Sequence, residues 1–239
     1  MDVQDYYDDF ANLYDNPRGV GYHALIDELE AGIVLDNVGE RARILEVGCG
    51  TGLIMHRIGG GGRRVVGVDL SRSMLRAARG RDQEVAQADA LALPFESESF
   101  DAACSFKVLA HIPRIGDAIA EMARVVRVGG TLVTEFYNAR SLRYLAKRIA
   151  GPRQTGLIVD ESDVPTRWDL PTQLEAYFPS GVRIKAMRGV RVFTPYAGAL
   201  ELPLVGRSLR FLERVAAKTS MVARVGGFVV VIGQKVADT

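Results

Sequence analysis

Few residues in this chain staple, span or strongly charge a protein. Only two of its 239 residues are cysteine, Cys49 and Cys104, and they stand far apart. That excludes a disulfide framework and a cysteine-built zinc site, and leaves reduced thiols of a cytoplasmic protein as the simplest expectation. No apolar run approaches the ~20 residues that a membrane-spanning helix requires. The opening "MDVQDYYDDF" is acidic and aromatic, unlike a signal or transit peptide. Charge of one sign is also missing: 30 basic residues against 29 acidic ones leave a net charge of +1. No global field therefore draws the chain to nucleic acid or to an anionic membrane, and any such preference has to be local. No cluster of Asp and Asn offers a magnesium site, so no metal is expected.

What is present is the composition of a globular domain, 48% hydrophobic and 25% charged, in a length that suits one domain over 1–239. Short β-rich runs alternate with helical patterns. Strands are expected at 42–47, 63–69, 84–89, 100–106 and 129–137, with helices at 52–58, 71–80 and 114–126 between them. This alternation implies right-handed crossovers and a doubly wound, parallel α/β sheet. "GGGG" at 59–62 precedes a strand and not a helix, so it reads as a turn and not as a phosphate loop. After Tyr137 the rhythm changes. An amphipathic helix is expected at 139–150, a short helix at 171–178, strands at 182–193 and 227–235, and a helical insert within 194–226.

The stretch "ILEVGCGTG", Ile44 to Gly52, is a hydrophobic run breaking into alternating glycines. A Walker loop requires a lysine at its end, and none follows Gly52. The dinucleotide fingerprint requires a third glycine where Leu53 stands. The surrounding acids point elsewhere. Glu46, two residues before the first glycine, repels a pyrophosphate and welcomes a cation. Asp69 closes the second strand, where α/β nucleotide folds bind ribose hydroxyls. Asp89 closes the third, placed to accept from an adenine amino group. Three carboxylates around a glycine loop suit a cationic, phosphate-free adenosine derivative, and S-adenosylmethionine has that character.

"LEVGCGTG", "VDLSRSML", "ADALALPFESESFDAACSFKVLAHI" and "ARVVRVGGTLVTEF" stand in order in the chain. Together they resemble the successive motifs of class I S-adenosylmethionine-dependent methyltransferases, most closely the ubiquinone/menaquinone-biosynthesis-like group that acts on small molecules. The resemblance covers about Tyr6 to Tyr137 plus the terminal strand pair. It implies a seven-stranded, mostly parallel Rossmann-like sheet with an antiparallel last strand and helical insertions in the C-terminal half. It also implies roles. Glu46 assists the amino-acid end of the cofactor, and Gly48, Cys49 and Gly50 let backbone approach its methionine portion. Asp69 takes the ribose hydroxyls, with Leu70 and Met74 flanking the adenine. Asp89 and Ala90 read the adenine edge. Ser105 to Lys107, with Phe106 between them, face the sulfonium. An N-terminal segment, 1–36, forms a lid and helix, with Tyr7, Phe10 and Tyr14 on one face and Tyr14 near the sulfonium.

His111 is the histidine nearest this site in sequence; it either abstracts an acceptor proton or packs and anchors the lid. Acceptor specificity is expected in 138–180 and 194–226, outside the cofactor motifs. A basic cluster (Arg140, Arg143, Lys147, Arg148, Arg153) either meets an anionic substrate, a carrier protein or an anionic lipid surface or is a solvated helix face. The apolar "YAGALELPLVG" suggests a hydrophobic small-molecule acceptor, with contact to a membrane surface or a carrier protein through 139–153 or 196–215. The chain lacks the Asn/Asp-Pro-Pro-aromatic motif of base-methylating enzymes, so no nucleic acid is expected. Two other readings stand beside methyl transfer: a non-catalytic S-adenosylmethionine-binding protein, and an NAD(P)-dependent oxidoreductase.

Overall fold

The computed structural model describes residues 21–150 and 166–237. Residues 1–20 of the lid and helix expected over 1–36, with Tyr7, Phe10 and Tyr14, and also Arg153, lie outside the described residues. The chain order is α1 (Gly21–Asn37), β1 (Arg43–Val47), α2 (Leu53–Ile58), β2 (Arg64–Asp69), α3 (Arg72–Arg79), β3 (Glu84–Gln87), β4 (Phe100–Ser105), α4 (Ile115–Val125), β5 (Val126–Tyr137), α5 (Leu142–Ala150), β6 (Val182–Val190), α6 (Pro203–Ala216) and β7 (Phe228–Lys235). The seven strands form one sheet in the order β3-β2-β1-β4-β5-β7-β6. β1 to β5 run parallel, and β7 is antiparallel to both β5 and β6. This is the doubly wound sheet with an antiparallel last strand that the motif order implied.

Alternation along each strand divides the core in two. Leu45 and Val47 of β1 face one side, with Val66, Val68, Ala103 and Leu132 and the apolar face of α4, Ile119 and Met122 included. Ile44 faces the other, with Ala102, Cys104, Val133 and Val230 and the α1 residues Leu25, Ile26 and Leu29. Burial of one such Leu or Ile side chain stabilises the fold by roughly 1.5–3 kcal/mol. Glu46 shares the parity of Ile44. The sheet therefore turns a carboxyl into the α1 layer, against the apolar pattern of its own strand.

Local hydrogen bonds move several expected boundaries. β3 stops at Gln87, two residues before Asp89. Asp89 instead turns the chain: its Oδ1 accepts from Leu91 N at 2.9 Å and its carbonyl from Ala92 N at 3.0 Å. A short Asp side chain competes with the ladder for backbone donors in this way. β6 ends at Val190 and not at 193, because the backbone N–H groups of Val192, Phe193 and Thr194 all donate to the buried Glu213 carboxylate of α6. The helix expected at 171–178 is a single 3-10 turn, Leu174–Tyr177. α5 starts at Leu142, where Ser141 Oγ accepts from Tyr144 N at 3.1 Å and caps it.

Candidate functional site

The order β3-β2-β1-β4 reverses direction at β1, and the loops following these strands gather at one edge of the sheet. Such a reversal opens a crevice at the carboxyl ends of the strands. Here the crevice is a cavity of about 280 Å³, lined by Gly48, Gly50, Asp69, Leu70, Met74, Asp89, Ala90, Phe106, Lys107 and His111 among others. The chain thus brings most of the residues expected of a cofactor site to one concavity.

The glycine loop between β1 and α2 forms its floor. Gly48, Gly50 and Gly52 have φ values of 74°, 53° and 79°, the left-handed region that a Cβ penalises by roughly 1–2 kcal/mol per residue. At Gly48 space is also closed: an added Cβ would overlap both methyl groups of Val108. The loop is held from both sides. Gly48 N and Cys49 N donate to Val68 O at 2.7 and 3.0 Å. Gly50 N donates to Asp69 Oδ2 at 2.8 Å, and Ser71 N to Asp69 Oδ1 at 2.9 Å. Asp69 therefore fastens the loop to the start of α3 through both carboxylate oxygens. A carboxylate offers about four acceptor sites, enough to hold backbone and a diol together. Ser71 Oγ accepts from Met74 N at 3.1 Å, capping α3 and setting Met74 against the cavity wall.

Two expected placements need correction. Asp89 reaches the cavity from its turn and not from a strand end. Ser105 does not face the cavity: it is fully buried and its Oγ donates to Val47 O at 2.9 Å, clamping β4 to β1. Phe106 and Lys107 alone of that trio line the cavity. Cys49 does not line this cavity but a smaller one behind the loop. Its side chain packs with Met55 and Leu75, and a Cβ on Gly67 would lie 2.7 Å from its Sγ. Burial raises both thiols, Cys49 and Cys104, away from the reactive range.

Behind the loop lies a second, smaller cavity of about 40 Å³, lined by Asp27, Glu46, Gly48, Gly50, Phe106 and Lys107 among others. The two cavities share Gly48, Gly50, Phe106 and Lys107, so the loop forms a partition between them. Around the smaller one the sequence reading missed a cluster. Asp27, Glu30, Glu46 and Glu135 are each 3% exposed or less. Lys107, with φ of 61°, sends its Nζ to Asp27 Oδ1 at 3.0 Å and to Glu30 Oε2 at 2.6 Å. Its backbone N donates to Glu135 Oε1 at 3.2 Å. Burial, reinforced by Glu30 and Asp27, pushes the Glu46 carboxyl well above the usual carboxylate range. Burial and Glu30 do the same to Glu135. One signal could have revealed part of this: Asp27 and Glu30 are spaced i, i+3 among the buried apolar residues of α1.

Of the remaining candidates, His111 lines the larger cavity and Arg143 does not. His111 ends a 3-10 turn, Leu109–His111, and its ring stands edge-on to Tyr137 at 6.2 Å. Arg143 leaves the basic face expected of α5. Its guanidinium lies over the rings of Tyr137, Trp168 and Phe228 at 4.9, 5.2 and 4.7 Å.

With this geometry in hand, known proteins give it a name. Residues 45–134 match the family model described as a methyltransferase domain. Those residues run from β1 through most of β5 and so carry the glycine loop, Asp69, Asp89 and His111. Residues 45–134 carry a methyltransferase domain. A malonyl-(acyl-carrier protein) O-methyltransferase of Pseudescherichia vulneris is 27% identical over 208 residues, covering 80% of this chain and 82% of that protein. A phosphatidylethanolamine N-methyltransferase of Cereibacter sphaeroides is 36% identical over 116 residues, covering 44% of this chain and 55% of that protein. The chain spans about half the length of several curated relatives, 57% of one and 47% of another. Among solved structures, a SAM-dependent methyltransferase of Thermotoga maritima superposes with a TM-score of 0.70 at 20% identity, over 98% of this chain and 100% of that one. The methyltransferase domain thus shares its fold across nearly the whole chain. S-adenosylmethionine is the cofactor of this family, and the donors present suit it: a diol acceptor at Asp69, exposed loop backbone, and an orphaned buried carboxyl oxygen, Glu46 Oε2.

Proposed function

We propose that the chain transfers a methyl group from S-adenosylmethionine to a small molecule with a sizeable apolar body. The observation that carries this is the pairing of Asp69 with the unpartnered carboxyl oxygen of Glu46 across one glycine loop. An adenosine carrying a cationic amino acid fits such a pair, with its diol at Asp69 and its ammonium at the open Glu46 oxygen. When bound, the cofactor supplies an electrophilic methyl group on sulfur. The chain's own residues do the rest: Asp69 and the loop hold the ribose and amino-acid ends, while Phe106 and Met74 keep water from the apolar wall. Alignment and exclusion of water account for most of what such a site contributes. Under this reading Leu70 and Met74 flank the adenine, Asp89 and Ala90 read its edge, and 1–36 serves as lid and helix with Tyr14 near the sulfonium.

Acceptor contacts are assigned to 138–180 and 194–226. An exposed apolar stripe supports this: Leu204, Phe211 and Val215 share one face of α6 and are 81%, 65% and 51% exposed, with Arg207 beside them. A quinone precursor, an acyl chain on a carrier protein, or a lipid headgroup on an anionic surface all present the matching chemistry. Among the described residues no helix is long and apolar enough to cross a membrane. Two reduced, buried thiols accord with action in the cytoplasm.

Calorimetry tests the donor. S-adenosylhomocysteine is expected to bind saturably and NAD not at all; NAD binding without the adenosyl compound would sink the proposal. Labelled-methyl transfer into a cell extract then separates an enzyme from a binding protein. His111 lines the cavity within reach of Tyr137 and is the candidate base for a hydroxyl or carbon acceptor. As a general base it contributes roughly 10²–10⁴-fold to turnover. His111→Ala is expected to lower kcat by at least ~100-fold with S-adenosylhomocysteine affinity unchanged. Retention of most of the turnover would reduce His111 to a packing residue.

A further inference from the structure

Among the described residues, the buried cluster behind the glycine loop sets four carboxyls against one lysine. Four carboxyls, from α1 (Asp27, Glu30), β1 (Glu46) and β5 (Glu135), stand around Lys107, whose Nζ pairs with Asp27 and Glu30. Among the described residues, the thiols of Cys49 and Cys104, held neutral by burial, and the guanidinium of Arg143 also face them. Arg143 acts on Glu135 from a distance, with its planar head committed to three aromatic rings. Full ionisation of the carboxyls would bury a net negative charge that no packing offsets. Glu30 Oε1, Glu46 Oε2 and Glu135 Oε2 have no donor at all. Between Glu30 and Glu135 a carboxyl proton can satisfy both oxygens. Glu46 has no carboxyl neighbour listening for its proton in this way; its open side is the small cavity, where Asp27 and Lys107 are the other charged walls.

Resting on the methyl-donor reading above, we infer that Glu46 carries a proton in the ligand-free protein and releases it to solvent when the donor's α-ammonium enters the small cavity. The balance is one for one. The O–H bond of Glu46 breaks, its proton goes to the buffer, and the incoming ammonium replaces it as counter-charge. Glu46 thereby receives a cation it could not hold ionised alone. Lys107 and Asp27 fix the charge of the opposite wall, so they position the exchange without touching the reacting methyl. The direction of the Glu46 shift described above agrees with this picture. Donor affinity then depends on pH. Where Glu46 is protonated in the free protein and ionised in the complex, affinity rises about tenfold per pH unit. An adenosine derivative lacking the amino-acid end has no such dependence.

The experiment is calorimetry of the full chain with S-adenosylhomocysteine and with 5′-methylthioadenosine, at fixed pH in buffers of differing ionisation enthalpy. About one proton is expected to be released with S-adenosylhomocysteine and none with methylthioadenosine, and Glu46→Gln is expected to abolish the release. Binding of S-adenosylhomocysteine with no buffer dependence overturns the inference, as does release that survives in Glu46→Gln or is equal for methylthioadenosine. Should Glu46→Gln fail to fold, infrared difference spectra of the unaltered protein decide: a protonated-carboxyl band must vanish on adding S-adenosylhomocysteine, and its persistence overturns the inference. Absence of any binding of S-adenosylhomocysteine instead removes the donor reading itself.

Discussion

Lys107→Met is expected to lower the unfolding free energy by about 3–5 kcal/mol, the usual cost of removing one partner from a buried ion pair. Methionine keeps the apolar stem, so the loss reports the charge. Asp27 and Glu30 then lose the lysine that pairs with both of them in the core. The pH dependence follows from Glu30, whose carboxyl burial already holds above its ordinary range. A group with a raised folded pKa contributes stability in full below its unfolded pKa, and that contribution is lost as pH rises through the folded value. Removal of Lys107 raises the folded value further. The deficit of the variant is therefore expected to be small near pH 4.5 and largest near pH 8. Urea midpoints of both proteins across that range provide the check. A deficit under ~1 kcal/mol at pH 8, or one independent of pH, would show that the pair contributes nothing of the kind.

Asp69→Ala is expected to weaken S-adenosylhomocysteine binding by at least ~100-fold. Hydrogen bonds to a charged acceptor contribute about 1.5–3 kcal/mol each, and a ribose diol makes two. The same substitution also frees Gly50 N and Ser71 N, so the loop loses the tie that shapes the floor of the cavity. Asp69→Asn keeps one acceptor oxygen and is expected to fall between the two. Calorimetric Kd values for the three proteins, with circular dichroism to show that the fold survives, make the comparison. A change below tenfold in Asp69→Ala would remove Asp69 from the ribose role.

These two residues differ in how visible they are in the sequence. Asp69 was legible because its position is local: a strand ends, a carboxylate follows, and a Ser-capped helix begins. The doubly wound sheet was legible for the same reason, since each β-α repeat carries its own periodicity. Lys107 was not legible, because its partners lie 80 and 77 residues away and meet it only through the packing of α1 on the sheet. Glu46 shows both situations. Its nearness to the loop could be read, whereas its burial among three other acids required the parity of β1 and the placement of α1. Asp89 illustrates a different limit. Periodicity favoured a strand to its end, but the Asx turn at its own side chain competed for the backbone and won. The basic run after Tyr137 misled in its second member, since aromatic rings distant in sequence draw Arg143 from the solvated face.

The place of β7 sets the order in which the sheet can be made. β6 pairs only with β7, and β7 is the wedge that joins β6 to β5. During synthesis β6 emerges well before its sole neighbour exists, and the free edge of β5 waits as well. Unpaired edges of this kind invite another chain. The nascent protein therefore passes through a stage in which the β5 edge and β6 are open together, and the last eight residues of the sheet, Phe228–Lys235, close both at once.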